Sequence, residues 1–128
     1  MDSSPGAVAP YGGAEPVRCA PDRDYSEVTS REVALRLVAE GRLFAVLLFP
    51  EVFGGADTPE NTAFVPRAAA EELYRITVEV SRLVGRRFAV TVDVVPEHRG
   101  RSVVPAKIRV KAGLVASANA FAWTVEIW

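Results

Sequence analysis

A single cysteine and a single histidine are all that 128 residues supply of those two side chains. Cys19 has no second cysteine to pair with, so an internal disulfide is impossible and the usual argument for a stapled, exported fold goes with it. The residues after Met1 lack the basic start, apolar core and small-residue cleavage site of an export signal. Long hydrophobic runs are missing too: the longest, at 43–50, is far too short to span a bilayer. A cytoplasmic protein with no membrane role is the expectation. Hydrophobic residues nevertheless make up 49% of the chain, enough for the core of one domain.

Charge is nearly balanced in total but not along the chain. Residues 1–79 carry 13 acidic and 7 basic side chains, whereas residues 82–111 carry 8 basic ones against Asp93 and Glu97. The basic set is Arg82, Arg86, Arg87, Arg99, Arg101, Lys107, Arg109 and Lys111. Such an asymmetry steers an acidic protein surface or a phosphate backbone toward one end. The opening residues, rich in proline and glycine with no apolar period, predict a flexible or extended arm over 1–28. The domain proper is then 29–128. Cys19 in the arm has no base or cation cluster beside it, which points to a packed side chain and not a nucleophile.

Thr29-Ser30-Arg31-Glu32 has the pattern of a capping box and predicts the start of a first helix, with Val33, Leu35, Leu37 and Val38 apolar and Gly41 as its stop. Leu43 through Phe49 reads as a strand apolar on both faces, hence central in its sheet. The residues from 51 to 66 read as a long loop, acidic through Glu51, Asp57 and Glu60. Its carboxylates lack a repeated ligand spacing, so no metal site is assigned, and Asn61 is expected to hydrogen-bond loop backbone. A helix follows over 67–84, with Leu73, Ile76, Val80 and Leu83 on one side and Gly85 at its end. Phe88, Val90, Val92 and Val94, then Ile108 and Val110, then Phe121, Trp123, Val125 and Ile127 alternate as three antiparallel strands. The turn His98-Arg99-Gly100-Arg101 joins the first two, and residues 113–119 join the last two. The class is α+β: a single domain with an antiparallel-rich sheet of about four strands and two helices packed on one face.

Several short motifs recur in order between 53 and 112: Phe53-Gly54-Gly55, Pro59-Glu60-Asn61, Val65-Pro66, Gly85-Arg86-Arg87, then Pro96-Glu97, Gly100, Ser102 and Pro105. Together they resemble the C-terminal half of the DNA/RNA non-specific endonuclease domains of bacterial polymorphic toxins. The resemblance implies a histidine that activates water in an Asp-Gly-Gly-His step, and a metal held by an asparagine on the next helix. In this chain Phe44-Ala45-Val46-Leu47 falls at that step, and the helix at 67–84 contains no asparagine. His98, in a hairpin with no nucleophile beside it, does not replace the missing base.

A scaffold without its catalytic groups points to a non-enzymatic bacterial protein, immunity-like or accessory to a toxin system, that binds another protein, such as a toxin, through charge complementarity. Neither cofactor nor metal is assigned. The residues expected at the partner surface are Arg99, Arg101, Lys107, Arg109 and Lys111. Trp128 joins them because it falls outside the buried phase of its strand, whereas Trp123 is expected in the core. Two alternatives stand beside this reading. One is a nucleic-acid-binding module using the basic strand and hairpin, although its strand lacks the interleaved aromatics of a single-strand platform. The other is an enzyme with a loop site around Glu51, Asp57, Glu60 and Asn61.

Overall fold

The computed structural model describes residues 19–20, 22–85, 90–114 and 120–128. Expectations for most of the arm (1–18), for Arg86, Arg87, Phe88 and Ala89, and for the connection at 115–119 lie outside these residues.

The first helix, α1, runs Arg31–Ala39. Its N-cap is Ser30, not the expected Thr29: Ser30 is extended, and its hydroxyl accepts the Val33 N–H at 3.2 Å. Glu32 therefore sits at the second helical position and faces the positive end of the helix dipole instead of closing a capping box. The far end is a Schellman closure. Gly41, at φ 74°, donates to Val38 O, and Arg42 donates to Leu37 O.

The strand after α1 is shorter and placed differently than the sequence predicts. β1, Phe44–Leu47, pairs antiparallel with β2, Thr62–Val65, and the two form a separate two-stranded sheet. Among the described residues β1 has no second strand neighbour, and Ala45 is exposed. The apolar run is thus not the centre of a large sheet. β2 itself lies where the sequence suggested loop, and its Ala63, Phe64 and Val65 are all buried.

Helix α2, Arg67–Gly85, matches its expected span, with Ala69, Ile76 and Val80 buried against the core. The three remaining strands, β3 (Val90–His98), β4 (Pro105–Leu114) and β5 (Ala120–Glu126), form an antiparallel sheet in that order. The fold is α+β, with two α-helices and two antiparallel sheets among the described residues. Val90, Val92 and Val94 of β3, Ile108, Val110 and Ala112 of β4, and Trp123 and Val125 of β5 turn one face of this sheet to the core. Trp123 takes its expected side and is partly buried there.

Order reaches further toward the N-terminus than residue 29. Cys19 and Ala20 donate backbone hydrogen bonds to Glu126 O and Ile127 O at 2.7 and 2.9 Å, along the exit of β5. Ala20 and Val28 are buried, and the Ser102 hydroxyl donates to Tyr25 O at 2.7 Å. The described part of the arm is therefore woven into the domain, where the sequence placed it outside the core. Proline and glycine prevent periodic structure, but they do not prevent this irregular packing.

Candidate functional site

Register places the basic residues of β4 on the solvent face of the three-stranded sheet. Lys107, Arg109 and Lys111 occupy alternate positions, opposite in phase to the buried Ile108 and Val110. Their cross-strand neighbours carry opposite charge: Asp93 faces Lys111, while Glu97 and Glu126 flank Lys107 from the two sides. Arg109 lies between Val95 and Thr124 in register and reaches diagonally to form an ion pair with Glu97. Val95 is 52% exposed on this face. The surface is consequently a lattice of alternating sign around an exposed valine, not a uniformly basic stripe. Sequence reasoning found the three cations but not the carboxylates that register brings beside them.

Arg99 and Trp128 meet elsewhere, at the β3–β4 turn. The Arg99 guanidinium lies over the Trp128 ring at 4.7 Å, and Tyr25 packs edge-on against the same ring at 6.0 Å. The indole N–H donates to Val104 O at 3.2 Å, and Trp128 keeps only 6% of its surface exposed. The expectation that Trp128 is an exposed contact residue is corrected here. Its strand phase points outward, but β5 ends at Glu126, and residues 25 and 99 close over the indole. Gly100, at φ 59°, makes this turn possible, and Arg101 beside it is exposed.

The loop that runs from β1 to β2 is held by contacts with its own backbone. Asn61 Oδ1 accepts the Phe49 N–H at 2.8 Å, and its Nδ2 donates to Phe49 O and Ala56 O, each at 2.9 Å. Asn61 thus binds loop backbone, as expected. Gly54 takes the left-handed conformation, and Gly55 packs so closely that an added Cβ would lie 1.7 Å from Phe49 O. Glu51, Asp57 and Glu60 point outward and are exposed. Among the described residues no three His, Cys, Asp or Glu side chains gather closely enough to hold a metal ion.

A cleft of about 420 Å³ opens on another side of the molecule, and nothing in the sequence signalled it. Cys19, Ala20 and residues 22–25 line one side, and Leu37 of α1 with Arg42, Leu43 and Pro66 lines the other. Burial pushes the Cys19 thiol above its ordinary range, with the nearby Glu72 charge adding to the effect. Such a thiol stays protonated and is a poor nucleophile. Burial likewise raises Tyr25, against the pull of Arg23 and Arg42. Asp24 is held below the usual carboxylate range by hydrogen bonds from Ser26, with Arg99 contributing.

No helix among the described residues is long and apolar enough to cross a membrane. The chain matches no family model, no curated protein and no solved structure.

Proposed function

We propose that this chain is a non-catalytic protein-binding domain, an immunity-like or accessory protein of a bacterial toxin system acting in the cytoplasm. The observation that carries the reading is the outer face of the β3–β4–β5 sheet. Three cations and three carboxylates alternate there in register around exposed Val95. A mosaic of both signs suits a partner protein with the opposite mosaic, because charges set register and suppress wrong partners. It suits a phosphate backbone poorly: each carboxylate beside a lysine or arginine repels phosphate and offsets the gain from releasing counterions. The enzyme reading of the loop at 51–61 has weaker support, since Asn61 is committed to Phe49 and Ala56.

Capture from the source cell separates these readings when wild type is compared with a Lys107→Glu, Arg109→Glu, Lys111→Glu variant. The expected result is one protein recovered in near-equal amount by wild type and lost with the variant. Salt-sensitive retention of oligonucleotides by wild type, lost in the same variant, would replace this reading with nucleic-acid binding.

A further inference from the structure

We infer that the cleft beside residues 19–25 binds a small organic monoacid with an apolar body, its carboxylate held between Arg23 and Arg42 at the Tyr25 hydroxyl. The site is separate from the sheet face and does not depend on the protein-binding reading.

Three observations converge on it. The cleft, at about 420 Å³, falls within the usual range of small-molecule pockets, roughly 300–1,000 Å³. Its deeper wall is apolar: Val28 and Leu43 are 7% and 0% exposed, Pro66 is buried and Leu37 half-buried. An aromatic or branched aliphatic body buried there leaves no polar group stranded. The rim supplies the charge. Arg23 makes no ion pair with a described residue, and Arg42 is tied to Glu40 only by an exposed contact of 3.5 Å. Exposed pairs of this kind hold weakly, so a carboxylate with bidentate geometry displaces Glu40 readily.

The surrounding charges narrow the ligand further. Arg23, Tyr25 and Arg42 all line the cleft, and both arginines favour negative charge at the Tyr25 hydroxyl, against the larger effect of burial. Asp24, the carboxylate next in sequence, accepts the Ser26 N–H at 2.8 Å. Asp22 and Asp24 both lie on the rim, exposed and negatively charged. A second acidic group on the ligand would meet Asp22, which favours a monoacid over a diacid. Tyr25 is fixed in place for its part, its carbonyl bound by Ser102 and its ring set against Trp128.

Titration of the full chain with phenylacetate, followed by amide NMR shifts, tests the site. Saturable shifts are expected at Arg23, Tyr25, Arg42 and Leu43. Phenylacetamide, the same shape without the charge, should bind about tenfold more weakly or worse. An Arg23→Gln, Arg42→Gln double variant should lose saturable binding while keeping its melting temperature, since both side chains are exposed. Equal binding of acid and amide, unchanged binding by the double variant, or the absence of a saturable shift with the acid would each overturn the proposal.

Discussion

Asn61 offers one acceptor and two donors, and all three end on backbone atoms of the loop it closes. Replacing it with alanine strands the part-buried Phe49 N–H and carbonyl, while Ala56 O keeps the Thr58 N–H, and should cost about 1–3 kcal/mol in denaturant unfolding. Gly55→Ala should be at least as damaging, because the new methyl group would collide with the Phe49 carbonyl, a backbone atom that cannot swing aside. Ser102, 4% exposed, donates to Tyr25 O and accepts from Val104 N–H. Its alanine variant should lose about 1–3 kcal/mol in the same measurement. The backbone role of Asn61 was legible in the sequence, since a short amide among turn residues has few other tasks. The burial of Trp128 was not: alternation describes a strand, and this residue lies just beyond one. Alkaline pH should expose the same packing. Cys19 and Tyr25 both have folded-state pKa values raised above ordinary ones of 9.0 and 10.0. Their neutral forms therefore favour the fold fully below pH 9, and that contribution declines as pH rises past those values. Melting temperature measured from pH 7 to 11 should fall above pH 9, and less steeply in Tyr25→Phe.

The helices were the most readable parts of the chain. α2 kept its expected span because its apolar residues recur every three or four positions and Gly85 marks its end. α1 was readable except for its first residue: Thr29 and Ser30 both make good caps, and only the backbone decides which hydroxyl reaches Val33. Its closure is exacting. Gly41→Ala should cost about 1 kcal/mol in thermal unfolding, since φ is 74° there. β2 escaped notice because four residues after a proline-containing loop show no alternation. The unbroken Ala63-Phe64-Val65 run was the available sign of a strand buried on both faces. In β4 the buried phase was evident, but the charge of its neighbours was not, because register with β3 and β5 depends on how the connections close. A double-mutant cycle on Asp93 and Lys111 should give a coupling of only about 0.2–1 kcal/mol. The charges on this face thus contribute little to holding the sheet.

One hydrophobic cluster draws on Val28, α1, both sheets and α2, with Ile127 and Trp128 completing it. Val28 belongs to that cluster and Cys19 and Tyr25 pack against it, so removing residues 1–28 should do more than trim a tail. Trp128 would lose Tyr25, Val103 its hydrogen bond to Val28 O, and β5 its contacts with Cys19 and Ala20. A loss above about 3 kcal/mol and a red shift of tryptophan fluorescence are expected. The cleft has the same long-range origin, built from residues near 22, 40 and 66, and no local pattern announces such a meeting. The loop at 49–61, by contrast, is closed locally, its asparagine spent on backbone and its carboxylates exposed. That this segment holds the fold and not a substrate is most directly tested by incubating the purified protein with DNA and RNA in magnesium, manganese or zinc. Wild type is expected to cleave no more than Asn61→Ala protein does. Metal-dependent cleavage by wild type that is abolished by Asn61→Ala or Asp57→Ala would contradict it.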